Sequence, residues 1–158
     1  MSSSPKESER VLRVSTDDVP PDRRQAYWQE AIARLHLAVD LDPDRSAGFS
    51  AALTAVALDD VNLVQMQTTA MAWKRPGRAR DRGGEERCLF IVGQGGQVDL
   101  EQDDRQVAVG SGDMVLIDSR LSCVFSVAAQ ASILALSLPR GALTERIGAI
   151  DGIAATQL

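Results

Sequence analysis

The chain has few of the side chains from which chemical sites are built. Its 158 residues include one histidine, one tyrosine and two cysteines, and only 4% are aromatic. A histidine-rich metal site needs several ligands that converge on one ion, and a single histidine cannot supply them. A Ser-His-Asp or Cys-His arrangement would have to use the same residue, His36, and no G-x-S-x-G turn is present. These counts disfavour metal-dependent and nucleophilic enzymes, and we expect no cofactor.

Long apolar runs and paired cysteines are also missing. Cys88 and Cys123 lie far apart in apolar segments and lack C-x-x-C spacing, a pattern typical of buried thiols. The first residues are rich in serine and charge and lack the apolar core of a signal peptide. No run approaches the roughly 18 apolar residues of a membrane span. We therefore expect a cytoplasmic protein with no membrane contact.

The net charge of -5 disfavours non-specific binding to nucleic acid, because a polyphosphate would be repelled. The exception is the segment 74–87, which carries six basic and three acidic residues and four glycine or proline residues. Its composition predicts a solvated loop. Two functional alternatives stay open: direct DNA contact, and a rim or lid for an anionic ligand, with Arg75, Arg78 and Arg80 as the candidates.

Near the N-terminus, a disordered tail over residues 1–13 is expected before a helix over 21–35. Trp28, Ala31, Ile32 and Leu35 recur at the i, i+3, i+4, i+7 spacing of one helical face. Prolines at 20 and 21 suit a first helical turn. The pattern predicts an amphipathic helix that packs on an apolar surface.

Period-two alternation replaces helical spacing after His36 and predicts about ten short strands. Their ranges are 37–41, 49–58, 62–68, 70–74, 87–92, 97–102, 105–109, 114–118, 122–127 and 132–138. Many short strands with no helix between them favour a sandwich or barrel. The predicted fold class is mainly β.

Two turns within these strands are well defined by sequence. Asp103-Asp104 joins 97–102 to 105–109 as a hairpin with one wet face. The stretch from Gly110 to Asp113 fails the G-x-G-x-x-G pattern, so we interpret it as a tight barrel corner. Asp113 is expected to accept hydrogen bonds from backbone amides there.

The stretch from Met66 to Trp73 mixes soft, aromatic and hydroxyl side chains, as the wall of a small-molecule pocket often does. Packing in the core explains the same composition. The candidate pocket residues are Met66, Thr68, Met71, Trp73 and Phe90.

Several segments in order resemble the N-terminal cupin-like domain of AraC-type bacterial transcription regulators. They are Tyr27-Trp28-Gln29-Glu30, Phe49-Ser50-Ala51-Ala52-Leu53, the hairpin end and corner at 107–118, and Leu136-Ser137-Leu138-Pro139-Arg140. The resemblance covers about residues 14–150 and departs at Ser111, where the family usually has proline. It implies a jelly-roll β-barrel with an N-terminal amphipathic helix and a C-terminal helix.

The resemblance also implies a role. It suggests a domain over 14–150 that binds an unknown small-molecule effector, and residues 151–158 as the start of a linker. The family's helix-turn-helix DNA-binding module is absent from this chain, so any DNA contact would be made through that module. A closing helix with Leu143, Ile147 and Ile150 either joins a homodimer interface or caps the barrel's own core.

Two alternatives to a sensing domain remain open at this point. A metal-free cupin-type isomerase or epimerase could use a His or Tyr acid-base pair. Tyr27 is in the N-terminal helix and His36 at the junction after it, so no such pair is visible inside the predicted barrel. A purely structural oligomerisation module would have a filled barrel.

Overall fold

The computed structural model describes residues 10–35, 39–75, 86–150, 152–156 and 158. Two helices and nine strands occur in these ranges, with 3-10 turns at Thr16–Asp18 and Pro21–Arg23. The strands are β1 (Arg10–Ser15), β2 (Asp40–Leu41), β3 (Ala51–Leu58), β4 (Val61–Arg75), β5 (Arg87–Gly96), β6 (Val98–Gln102), β7 (Arg105–Val109), β8 (Met114–Asp118) and β9 (Cys123–Pro139). The helices are α1 (Arg24–Ala33) and α2 (Arg140–Ile147). The predicted fold class, mainly β with a helix at each end, is confirmed.

The described strands form one antiparallel sheet in the order β1-β3-β4-β9-β5-β8, with β2 beside β4 and the β6–β7 hairpin beside β9. The first half of β9 lies between β4 and β6, and its second half lies between β4 and β5. The sheet therefore curls around β9, and its inner face encloses the main core.

Two long strands replace four predicted short ones. The stretches 62–68 and 70–74 are a single strand, β4, whose register shifts between Thr69 and Met71. Ala70 lies opposite two residues of β9, Ala128 and Ala129, so the extra residue of this β-bulge is on β9. Across the bulge, the inward-facing side chains of β4 switch from even to odd positions. Likewise, 122–127 and 132–138 are both part of β9. The predicted breaks were wrong because a bulge interrupts alternation without ending a strand.

The N-terminal tail is shorter than expected. Residues 10–13, assigned to the tail, belong to β1, which pairs with β3 so that Val11 lies opposite Val56 and Val14 opposite Leu53. Val14 is buried in the main core, and this burial explains why the strand is held. Residues 1–9 lie outside the described part.

The predicted amphipathic helix is confirmed, although α1 is shorter than 21–35. Trp28, Ala31, Ile32 and Leu35 are all buried, and Trp28 meets Phe49 edge-on with ring centroids 6.3 Å apart. The side-chain Oε1 of Gln29 accepts a hydrogen bond from the Leu41 amide at 2.9 Å. These contacts fix α1 across the core. The predicted strand 37–41 is described only at its end, as β2.

Both predicted turns are confirmed. Asp103 and Asp104 have φ of 54° and 57°, as a two-residue hairpin turn of type I′ requires, and they connect β6 to β7. At the corner, Oδ2 of Asp113 accepts a hydrogen bond from the Gly110 amide at 2.9 Å. The corner lies against Gly93, where an added Cβ would be 1.9 Å from the Gly110 carbonyl oxygen.

The end of the chain is packed where a linker was expected. Ala154 forms a parallel bridge with Leu116, and the Ala155 amide donates to the Leu116 carbonyl at 2.8 Å. The Leu158 amide donates to the Met114 carbonyl. The described residues of 151–158 therefore pack beside β8, and the start of a linker in this segment stays a prediction.

Candidate ligand site inside the barrel

A small cavity of about 60 Å³ lies in the main core between α1 and the barrel wall. Its lining includes Ile32 of α1, Leu35 in the turn after α1, Met66 and Trp73 from β4, and Phe125 from β9. Nearly all other lining side chains are aliphatic. Arg75 is the one charged residue in the described part of the lining.

Trp73 forms one wall of this cavity. Its ring stacks on Phe125 with centroids 4.7 Å apart and planes 7° from parallel. The indole Nε1 of Trp73 is buried and donates no hydrogen bond within the described structure. A buried donor without an acceptor costs about 1–3 kcal/mol. A buried donor without a partner therefore lies on one of the residues that line the cavity.

Arg75 brings a positive charge to the same region. It is buried at the end of β4 and lies opposite Cys123 of β9. Burial raises the pKa of Cys123 to about 12, and the nearby charge of Arg75 offsets only part of that rise. Cys123 is therefore a neutral thiol at physiological pH and a poor nucleophile.

The structure brings together only part of the predicted pocket. Met66 and Trp73 line the cavity, whereas Met71 is in the core and its sulfur accepts a hydrogen bond from Thr68 Oγ1 at 2.9 Å. Thr68 instead lines an outer cleft. Phe90 packs beside Cys88 on the other face of the sheet, so its assignment to the pocket is corrected. The sequence alone does not show that Phe90 and Met66 lie on opposite faces of the sheet, and for this reason Phe90 was wrongly grouped with Met66.

The predicted rim residues are only partly described. Arg75 lies inside the barrel wall and is 5% exposed, which corrects its placement on a solvated loop. Arg78 and Arg80 lie outside the described residues. His36 also lies outside the described residues. Tyr27, the tyrosine considered for an acid-base pair, is partly buried and packs against the main core from α1.

A second, open cleft of about 550 Å³ crosses the outer face of the sheet. Its walls are polar or small and come from β1, β3, β4, β5 and β9, including Ser15, Gln67, Gly95 and Ser132. No single stretch of sequence contributes enough residues to reveal it. Its described lining includes no aromatic side chain that a ligand could stack on.

The helix proposed for dimerisation, α2, mostly serves its own domain. Leu143 and Ile150 are buried with Cys88 and Leu116 in a second cluster on the outer face of β5 and β8. Burial raises the pKa of Cys88 to about 11, with the nearby Asp118 charge contributing to the rise. Ile147 is 55% exposed. Two roles were predicted for these residues, a dimer interface and a cap on their own domain. The burial of Leu143 and Ile150 within this chain fits the cap.

The described residues contain neither a cluster suited to a metal ion nor a helix suited to crossing a membrane. Within those residues, no three His, Cys, Asp or Glu side chains lie close enough together to hold a metal ion. None of the described helices is both long and apolar enough to cross a membrane.

Comparison with known proteins identifies relatives of this barrel. A family model described as an AraC-binding-like domain matches residues 28–157. An uncharacterized protein in the nit 5' region of Bacillus sp. strain OxB-1 is 24% identical over 106 residues, which make up 67% of this chain and 41% of that protein.

A solved structure shows the same fold. The AraC-like transcriptional activator CuxR superposes with a TM-score of 0.67 at 24% identity, over 89% of this chain and 51% of CuxR. The EutQ protein of Clostridium difficile gives a TM-score of 0.48 at 13% identity, over 63% of this chain and 80% of EutQ. This chain therefore spans about half of CuxR and less than half of the Bacillus protein.

Proposed function

The chain belongs to the AraC-binding-like domain family, and from that premise we propose that it senses a small-molecule effector inside its cupin-like barrel. In this proposal it is the regulatory domain of an AraC-type transcription regulator, and a DNA-binding module outside these 158 residues receives the signal. The observation that carries the proposal is the apolar cavity beneath α1. One of its lining residues, Trp73, has a buried indole Nε1 without a hydrogen-bond partner in the described structure.

The small size of the cavity supplies a sensing mechanism. Ligand pockets usually measure about 300–1,000 Å³, and this cavity measures about 60 Å³. An occupant of more than a few atoms must therefore move part of the lining. α1 and the turn after it contribute Ile32 and Leu35, and the helix is attached to the barrel by side-chain packing and few hydrogen bonds. Binding would displace α1, and a ligand that favours the displaced state shifts the equilibrium toward it.

The lining also restricts the chemistry of the effector. The walls are apolar, so most of the molecule must be apolar to replace the contacts it breaks. Trp73 Nε1 is a buried donor on a lining residue, so an occupant that carries one acceptor can satisfy it. A compact apolar monocarboxylate is such an occupant.

The test uses Trp73 fluorescence in a Trp28→Phe background, which leaves Trp73 as the remaining tryptophan. Aliphatic and aromatic monocarboxylates are titrated, and we expect a saturable change in emission with at least one of them. Ala135→Val fills the cavity and should abolish the response, because Ala135 is in its lining. Ala108→Val adds the same methyl groups to an exposed position of β7 and should leave the response intact. A response that survives Ala135→Val would place the ligand elsewhere.

The same cavity volume favours a second candidate, a structural module with a filled barrel. In that case Ala135→Val should raise the melting temperature by improving packing, and no monocarboxylate should shift the melting temperature of the unmodified chain. Thermal shift measurements on both proteins distinguish the two functions.

A further inference from the structure

Three neighbouring strands, β4, β9 and β5, present an uncharged band on the outer face of the sheet. Directly opposed residues in a sheet point to the same face, so the cross-strand pairs define rows of neighbours. The rows are Leu63 with Leu136 and Phe90, Gln65 with Leu134 and Val92, Gln67 with Ser132 and Gly95, and Thr69 with Gln130. We call these four rows the central strip. The alternate residues of the same strands are buried in the main core on the other face.

The lack of charge in the central strip requires an explanation. Charged residues make up 25% of the chain, and a sheet face that meets water normally carries them. Gln65, Gln67 and Gln130 are exposed. Leu63 is 36% exposed. Charge returns outside the strip, where the row of Gln65 continues through β3 to Arg13 on β1. Because covering an ionised side chain is costly, an uncharged surface favours a partner that covers it.

The central strip changes from apolar to polar along the strand direction. The row of Leu136 is apolar throughout, and its Phe90 packs against the second cluster beneath α2. The row of Ser132 lies in the open cleft of about 550 Å³ and has small or polar members. The distance along β9 from Leu136 to Gln130 is about 20 Å at the rise of an extended strand. The strip is therefore amphipathic along its length.

The polar end of the strip has hydrogen-bonding groups that the domain itself does not use. Within the described residues, the side chains of Gln67, Gln130 and Ser132 make no hydrogen bonds. Primary amides and hydroxyls both donate and accept. Asp17 is the one charged residue in the described lining of the cleft, so an anionic group would find no counter-charge there. Hydroxyl groups of an uncharged molecule match these side chains instead.

We propose that the central strip binds a single-chain nonionic amphiphile. Its alkyl or acyl tail lies on the apolar rows, where contact with Leu63, Leu136 and Phe90 removes apolar surface from water. Its uncharged, hydroxyl-bearing head lies in the open cleft and exchanges hydrogen bonds with Gln67 and Gln130. The strip and the interior cavity are on opposite faces of the sheet, so the proposal does not depend on effector binding inside the barrel.

Titration of the full chain with 1-octanoylglycerol tests the proposal, with isothermal calorimetry as the measurement and the probe kept below its micelle-forming concentration. We expect saturable binding. Octanoate and octylammonium have a comparable tail and a charged head, and they should bind at least tenfold more weakly. Glycerol, which is the head alone, should give no binding signal. Equal affinity for the three tailed molecules, or no binding of 1-octanoylglycerol, would overturn the proposal.

Substitutions locate the bound probe. Leu63→Gln puts an amide under the tail and should raise the dissociation constant of 1-octanoylglycerol tenfold or more. Val11→Gln introduces the same side chain in the same row, but on β1 and outside the strip, and should leave binding unchanged. Ser132→Asp puts a charge beside the head and should also weaken binding at least tenfold. Equal losses in Val11→Gln and Leu63→Gln would contradict the assigned location. The comparison of head groups uses the unmodified chain, so it stays decisive if a variant does not fold.

Two further measurements exclude other occupants. Ala135→Val fills the interior cavity, because Ala135 faces inward on β9, and it should not change the affinity for 1-octanoylglycerol. Binding that is lost in Ala135→Val and kept in Leu63→Gln would place the amphiphile inside the barrel, against the proposal. Sedimentation equilibrium examines the same samples. A dimer that Leu63→Gln dissociates and 1-octanoylglycerol does not would assign the strip to a second copy of the chain and refute amphiphile binding there.

Discussion

Asp118, on the last position of β8, is a carboxylate that is only 1% exposed. Its Oδ2 accepts hydrogen bonds from Arg120 at 2.9 Å and from Arg140 at 3.3 Å, and its carbonyl accepts one from Gln102. Burial by itself raises the pKa of Asp118, but the hydrogen bonds and charge of Arg120 outweigh burial and lower it. This residue links β8, the following turn and α2. The local sequence does not identify Asp118 as a buried carboxylate. Arg120 is close in sequence, but the other two partners, Gln102 and Arg140, come from separate segments.

Replacing this carboxylate should weaken the fold. We expect Asp118→Asn to lower the free energy of unfolding by about 3 kcal/mol, because it removes the buried carboxylate charge that pairs with two partly buried guanidinium groups. Urea denaturation measures the change. Asp22→Asn, at an exposed position, should change stability by less than about 0.5 kcal/mol. Equal effects in the two variants would refute the structural role of Asp118.

The same residue gives a dependence on pH. Since the folded state lowers the pKa of Asp118, its ionised form contributes stability above the unfolded value of about 3.9, and that contribution is lost as the pH falls further. The difference in unfolding free energy between wild type and Asp118→Asn should therefore be constant near neutral pH and shrink below about pH 4. A difference that grows toward acid would contradict the assigned sign.

The sequence predicts which segments form strands, but it does not predict where two such segments belong to one long strand. The bounds 105–109 and 114–118 match β7 and β8, because clear turns with glycine or paired aspartates flank them. β4 and β9 were divided in two because a β-bulge interrupts their pairing, with Ala70 opposite Ala128 and Ala129. Thr68, Met71 and Phe90 of the candidate pocket do not line the cavity for a related reason, since a list of neighbouring residues cannot say which face each one occupies.

The corner against β5 gives a test at this scale. Gly93→Ala should lower the free energy of unfolding by about 2 kcal/mol or more, because the new Cβ would overlap the Gly110 carbonyl. Thermal or urea unfolding measures the loss. Gly141→Ala, in α2 with open space around the position, should be neutral or stabilise by about 0.5–1 kcal/mol. If both variants lose the same stability, the close approach of the corner has no energetic role.

The molecule as a whole has two separate apolar clusters, one inside the barrel and one outside it beneath α2 and the end of the chain. The inner core and α1 could be predicted from periodicity and from the family resemblance. The outer cluster could not, because it depends on how residues beyond Ile147 return to β8. Cys88 lies in the outer cluster and Cys123 in the inner one. The accessibility of each thiol to a reagent therefore indicates whether its own cluster has opened.

Thiol labelling distinguishes the two clusters. Ile150→Ala removes a fully buried side chain over Cys88 and should open the outer cluster, so that a thiol reagent labels Cys88 faster than in wild type. Cys123 should stay unlabelled, because the barrel is intact. Ile147→Ala, which shortens an exposed side chain of α2, should not change either rate. Mass spectrometry of digested samples assigns the label, and simultaneous labelling of both cysteines would mean that the clusters open together.

The register shift at Ala70 of β4 has an evolutionary consequence. Up to Thr68 the even positions of this strand face inward, and from Met71 onward the odd ones do. Deleting Ala70 would put Ala72 and Lys74 in the places of Met71 and Trp73, and would move the aromatic ring and the buried charge to positions 72 and 74 on the other face of the strand. Among descendants of this sequence, a loss or gain of one residue here should therefore be rarer than substitutions along the same strand, and an alignment gap at residue 70 would mark a lineage with a different barrel interior.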